Sequence, residues 1–215
     1  MKKICVFDLD GTLVNSIEDI AGAVNRALKQ IGRAPYPVSD YRHMVGNGME
    51  LLMQRALKEG TRQELLLLTE LYQKEYLSHC CENTKPYSGI LKLLNQLKQH
   101  GFLLAVLSNK PQVQSEAVVS SLFPAHTFFR IIGQRAEFPR KPAPDSLFAL
   151  LASAQASKEE AWYIGDSDVD IQLGYNAGVD TIGVSWGFRG KDELKNAGAK
   201  QIVDTPLELQ KQILE

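Results

Sequence analysis

The 215-residue chain sets 24 Lys and Arg against 25 Asp and Glu, a formal net charge of −1, with 44% hydrophobic and 23% charged residues. That composition excludes a disordered or collagen-like chain and gives no electrostatic case for a nucleic-acid or membrane partner. No apolar run approaches the roughly 20 residues of a membrane span, and the run Ile4 to Phe7 is cut by Asp8 too soon for a secretory core, so a cytoplasmic protein is expected. Cys5, Cys80 and Cys81 form neither a disulfide framework nor a C-x-x-C site, and His43, His79, His100 and His126 lack metal-ligand spacing.

The chain opens with a buried strand at Ile4 to Phe7 that runs into Asp8-Leu9-Asp10-Gly11-Thr12. Two carboxylates one residue apart at a strand end are costly unless a cation meets them, although a surface acidic turn reads the same way. From Asn15 to Asn83 the periodicity is helical, with no convincing strand. Its first helix takes Ser16 as N-cap, with Asp19 three residues on, and stops at Gly32. Further helices are expected at Met49 to Leu57 and Gln63 to Cys80. An insert placed directly after the first strand's loop lies over the ligand edge of a sheet and is read as a lid.

After Pro86 strands and helices alternate. A helix at Ile90 to Leu97 precedes a strand at Phe102 to Leu107, which ends in Ser108-Asn109-Lys110. A strand at Arg130 to Ile132 leads to Arg140-Lys141-Pro142-Ala143-Pro144-Asp145, a proline-clamped lysine before a helix. The strand Trp162 to Ile164 ends in Gly165-Asp166-Ser167-Asp168-Val169-Asp170, and strands at Thr181 to Val184 and Ile202-Val203 follow. This order implies an α/β protein with a Rossmann-like parallel-sheet core, residues 1–14 and 84–215, and an inserted α-helical cap domain, residues 15–83.

Asp8, Asp10, Asp166 and Asp170 are hard oxygen ligands suited to Mg²⁺, while Ser108 and Lys141 are donors suited to phosphate oxygens. Taken singly, Ser-Asn can be a helix cap, Lys141 a solvated lysine and the last acids helix caps, but three acids at spacing two exceed what one helix start needs. Together they describe metal-assisted phosphoryl transfer, in which one carboxylate attacks phosphorus and a second moves the proton.

In this order the four segments closely resemble the haloacid dehalogenase superfamily of aspartate-nucleophile phosphatases. The resemblance implies Asp8 as nucleophile, Asp10 as general acid/base and, through its carbonyl, metal ligand, and Ser108, Lys141 and the Gly11 and Asn109 amides as phosphate donors. It also implies Asp166 as Mg²⁺ ligand supported by Asp170, Thr12 as a loop anchor, and a small phosphorylated substrate. Leu13 to Ile20, Val45 to Gly48, Trp186 to Gly190 and Asp204-Thr205-Pro206 are similar to the bacterial phosphoglycolate phosphatases, apart from Asn15, where those usually have Asp. The cap turn Gly46-Asn47-Gly48 with Arg42 and His43 then reads as a set of donors for a small anionic group.

Rival readings are a pyrophosphatase or nucleotidase of the same superfamily, a β-phosphoglucomutase-like isomerase, and a phosphate-binding or phospho-accepting regulatory module. Ile20 and Met49 stand where the isomerases tend to carry His and Arg, and the acidic segments come in the wrong order for a receiver. Oligomeric state is left open.

Overall fold

Ile4 to Phe7 are all 0% exposed, because the strand they form is covered on both faces. The computed structural model describes residues 2–215, with strands β1 (Ile4–Phe7), β2 (Val14–Asn15), β3 (Lys85–Pro86), β4 (Leu103–Pro111), β5 (Arg130–Gln134), β6 (Ala161–Gly165), β7 (Asp180–Val184) and β8 (Ile202–Val203). The helices are α1 (Ile17–Gln30), α2 (Tyr41–Met44), α3 (Met49–Leu57), α4 (Arg62–His79), α5 (Ile90–Gln99), α6 (Gln112–Leu122), α7 (Asp145–Ser153), α8 (Asp168–Ala177), α9 (Gly190–Asn196) and α10 (Pro206–Leu214). Six strands form a sheet in the order β5-β4-β1-β6-β7-β8, with every pair parallel. Alternate residues of β1 serve opposite cores: Cys5 and Phe7 join α1 and α5, while Ile4 and Val6 join Leu147 and Leu150 of α7.

The chain leaves β1, builds β4 and β5 on one side, and returns to build β6, β7 and β8 on the other. The order reverses at β1, so the carboxyl ends of β1, β4 and β6 meet at the switch point where such sheets bind ligands.

Helices α1 to α4 stand between β2 and β3, a two-residue antiparallel clasp that the helical periodicity hides. Ser16 sits before α1, but its hydroxyl turns to Asp10 Oδ1 at 2.5 Å instead of capping the helix. Asp19 is likewise drawn away from the helix start. Its carboxylate accepts the Asn83 N–H at 3.0 Å from both oxygens, the Asn83 side-chain amide at 2.9 Å, and the Thr84 N–H and hydroxyl at 2.8 and 2.6 Å. The two chain crossings between core and insert are thereby tied together.

Burial pushes the Asp19 carboxyl up, but the Thr84 and Asn83 donors outweigh it and hold the group below its ordinary value. Asp19→Ala should therefore cost about 2–4 kcal/mol at neutral pH, because it leaves buried donors unpaired. The depressed value means this stabilisation is present above the ordinary carboxylate value of 3.8 and fades as pH falls below it. Urea unfolding of wild type and variant across that range measures both the gap and its closure.

Candidate active site

Asp8 follows the last residue of β1, and its N–H donates to the Ile164 carbonyl of β6 at 2.8 Å, which fixes the backbone of the first carboxylate. The turn behind it closes on itself: the Leu9 carbonyl accepts the N–H groups of Thr12, Leu13 and Val14, and the Gly11 N–H donates to Val14 O at 2.9 Å. That bond corrects one expectation, because the Gly11 amide is committed inside the loop and is not free for phosphate in this conformation. What the loop needs from Gly11 is its φ of +88° and its missing side chain, since a Cβ there would lie 2.3–2.6 Å from the Asp166 carboxylate.

Strand β4 runs past Leu107 to Pro111, but four steps on β4 face two on β5 between Leu107 and Pro111. This irregularity re-aims Ser108, Asn109 and Lys110 toward the sheet's ligand edge. Ser108 Oγ accepts the Lys110 N–H at 3.2 Å. The Asn109 side chain accepts the Lys141 N–H at 2.9 Å and donates to Lys141 O and to the cap's Gly46 O, both at 3.1 Å. It thus fixes the lysine's loop and touches the insert at once.

Lys141 is the electrostatic centre. Its ammonium lies 2.8 Å from Asp170 Oδ1, 2.9 Å from Asp8 Oδ1, 2.9 Å from the Tyr163 hydroxyl and 3.2 Å from Leu107 O. Burial works against its charge, but Asp170 and Asp8 outweigh burial and hold it charged. Asp170 is fully used, since its second oxygen accepts the Ser167 hydroxyl and N–H at 2.6 and 3.1 Å. Asp166 accepts the Thr12 hydroxyl at 3.1 Å and the Phe188 N–H at 2.8 Å, and Asp168 is exposed.

Asp8, Asp166 and Asp170 are buried, and each offers an oxygen within 4.8 Å of the others. Asp8 Oδ1 is ion-paired with Lys141 yet lies off the direction of any hydrogen-bond donor among the described residues. Burial, reinforced by Asp170, raises Asp8 to about 6 despite Lys141, and burial with Asp170 and Asp8 nearby raises Asp166 well above its ordinary value. Three buried acids against one buried lysine leave room for a hard divalent cation. Mg²⁺ therefore fits this donor set.

A raised acid value means that the folded state holds protons that the unfolded state has lost. Chelator-treated protein should lose stability as pH rises from about 4, the ordinary value being 3.8, through about 6, where Asp8 ionises. Added Mg²⁺ should then raise the melting temperature more at pH 8 than at pH 5. Thermal melts in EDTA and in Mg²⁺ at both pH values check this, and equal metal-induced shifts would contradict it.

Asp10 is not part of the three-acid cluster. Lys110 Nζ grips both its oxygens, at 2.8 and 2.7 Å, in a pair that sequence reasoning missed. Both residues line a cavity of about 40 Å³ with Asp8, Ser108 and Asn109 on the core side. The insert closes it with Ile20, Val45, Met49, Leu52 and Tyr72. Arg42 and His43 do not line it, because α2 buries Tyr41 and leaves both exposed; of the expected donor set only Gly46 and Gly48 of the cap turn reach the cavity, among apolar side chains. Core side chains hold the cap turn from outside the cavity, Arg189 on Val45 O at 2.9 Å and Arg140 on Asn47 O at 3.4 Å.

The segment Trp186 to Arg189 also reaches the site. Trp186 donates to Thr12 O at 3.0 Å, and a Cβ on Gly187 would fall 2.3 Å from Asp166 Cβ.

The family model for haloacid dehalogenase-like hydrolases matches residues 5–184. A phosphoglycolate phosphatase of Aquifex aeolicus (strain VF5) is 35% identical over 186 residues, which cover 86% of each chain. A crystal structure from Lactobacillus delbrueckii subsp. bulgaricus superposes with a TM-score of 0.94 at 34% identity, over 100% of this chain and 99% of that one. A predicted phosphoglycolate phosphatase from Haemophilus somnus 129pt superposes at 0.93 with 27% identity, over 99% and 98%. With the match spanning the sheet, the insert and all four motif segments, the chain belongs to the haloacid dehalogenase-like hydrolase family.

Proposed function

We propose that the chain is a phosphatase that hydrolyses small phosphate monoesters through a phosphoryl group carried on Asp8, with 2-phosphoglycolate as its preferred substrate. The observation that carries the chemistry is a buried Asp8 paired with Lys141 while Asp10, one residue beyond Leu9, lines the same cavity. The Asp8 carboxylate attacks phosphorus and the ester P–O bond breaks, with Asp10, which takes up a proton from solvent as the anionic substrate enters, giving that proton to the departing oxygen. Asp10, now a carboxylate, takes a proton from the water that attacks phosphorus next, and phosphate leaves as Asp8 is regenerated. Lys141, Ser108 and the Asn109 amide hold the phosphoryl oxygens.

Asp8, Asp166 and the Asp10 carbonyl would hold Mg²⁺, which when bound offsets the charge that gathers on the phosphoryl oxygens. Asp170, with both oxygens taken by Lys141, Tyr163 and Ser167, supports the lysine and the metal loop. Thr12 and the Phe188 N–H keep Asp166 turned toward Asp8.

The substrate assignment rests on the names of the relatives. A cytoplasmic setting suits three free cysteines, and no helix among the described residues is long and apolar enough to cross a membrane. The value of kcat/KM for 2-phosphoglycolate should exceed those for glucose 6-phosphate and nucleoside monophosphates by at least about tenfold, about 1.4 kcal/mol of transition-state discrimination. Side-by-side steady-state kinetics decide it. A preference for the sugar or the nucleotide would remove the substrate assignment and leave the phosphatase chemistry standing.

A further inference from the structure

We infer that Lys110 is a positioning residue for Asp10 and that the ring of Tyr76, supplied by the insert, completes its seat. This rests on the phosphatase reading above. Lys110 has 4% of its side chain exposed and Asp10 10%, and the ammonium meets both carboxylate oxygens, at 2.8 and 2.7 Å. A grip on both oxygens fixes the plane of the carboxylate as well as its place. The Ser16 hydroxyl adds a third donor to Oδ1 at 2.5 Å.

The other side of the ammonium is the face of Tyr76 on α4, with Nζ 4.6 Å from the ring centroid. Tyr76 is 0% exposed, so its ring is fixed where it meets the ammonium. A buried ion pair is a poor source of stability, since an apolar pair of similar volume commonly does as well. What this pair supplies is direction.

Proton transfer demands a donor within hydrogen-bond reach of the departing oxygen. Without Lys110, Asp10 keeps only the Ser16 hydroxyl and can swing out of line with Asp8. Because the ammonium is roofed by α4, a displaced insert would also loosen the acid, which links the seating of the insert to proton transfer. Lys110 acts through Asp10 and is not assigned a substrate contact.

The test compares two esters under single-turnover conditions with saturating Mg²⁺. With 2-phosphoglycolate the alkoxide needs a proton in order to leave, whereas with acetyl phosphate acetate departs without one. Lys110→Met should slow phosphoryl transfer from 2-phosphoglycolate by about 30-fold or more, a large part of the roughly 10²–10⁴-fold that a general acid contributes, and from acetyl phosphate by less than about threefold. KM should stay within about twofold, and Lys110→Arg should recover most of the loss, because guanidinium also grips both carboxylate oxygens. Equal slowing on both esters, or a raised KM at an unchanged saturated rate, overturns the inference.

Asp10→Asn is the reference. If it shows the split and Lys110→Met does not, the positioning role falls while the phosphatase reading stands; if Asp10→Asn shows no split, both fall. Should Lys110→Met fail to fold by far-UV circular dichroism, Tyr76→Leu carries the test. A loss of about fivefold confined to 2-phosphoglycolate supports the role, and an equal or absent loss overturns it.

Discussion

Asp8→Asn is expected to lower kcat by at least about 10⁴-fold, the scale on which removal of a covalent nucleophile acts. An amide has nearly the shape of a carboxylate, but its oxygen is too weak a nucleophile to open a phosphate ester. The fold should survive the change. Burial disfavours the Asp8 carboxylate even with Lys141 beside it and raises its pKa to about 6, so exchanging it for a neutral group of the same shape removes a costly charge. Lys141 loses one partner and keeps Asp170, Tyr163 and Leu107 O. Steady-state kinetics paired with a thermal melt check both halves, and a folded variant with wild-type kcat removes Asp8 from the mechanism.

Lys141→Met should cost both activity and stability. It strips the ammonium from Asp8 and Asp170 and leaves three buried acids without their cation, a change that typically costs about 3–5 kcal/mol when one partner of a buried pair is removed. Lowering the pH should shrink the deficit, because neutralised carboxyls no longer need the lysine. Lys141→Met/Asp170→Asn should recover part of it at neutral pH, because the second change removes one of the stranded charges. Urea unfolding in EDTA at pH 8 and pH 5 measures this. A single variant as stable as wild type at pH 8 would show that the ion pairs do not hold this end of the sheet.

The sheet was legible because parallel strands buried on both faces leave short apolar runs, and the residues after those runs fall at the ligand edge whatever the helices do. Asp8, Asp166 and Lys141 were accessible for that reason: each follows a strand within a few residues or sits in a proline-clamped loop. Lys110 was not, because Ser-Asn-Lys-Pro reads locally as a turn, whereas the strand continues through it and its partner Tyr76 arrives from another element.

Asp19 fits the pattern of a helix start, and nothing local tells that its acceptors are wanted by Asn83 and Thr84, 64 and 65 residues away. Gly11 and Gly187 were visible as glycines, but their purpose, leaving room for Asp166 from both sides, exists only once three loops are brought together. Which way Arg42 and His43 point is not legible in the sequence, because a four-residue helix leaves too little periodicity to show it.

The central claim is that phosphoryl passes through Asp8, and the most direct measurement is to trap it there. Asp10→Asn should accept phosphoryl from acetyl phosphate, whose leaving group needs no proton, and release it slowly for want of a base. Acid quenching followed by peptide mass spectrometry should find one phosphoryl group on the peptide carrying Asp8, and none when Asp8→Asn is added. A quenched enzyme that turns acetyl phosphate over yet carries no phosphoryl group, or carries it on another residue, would contradict the account.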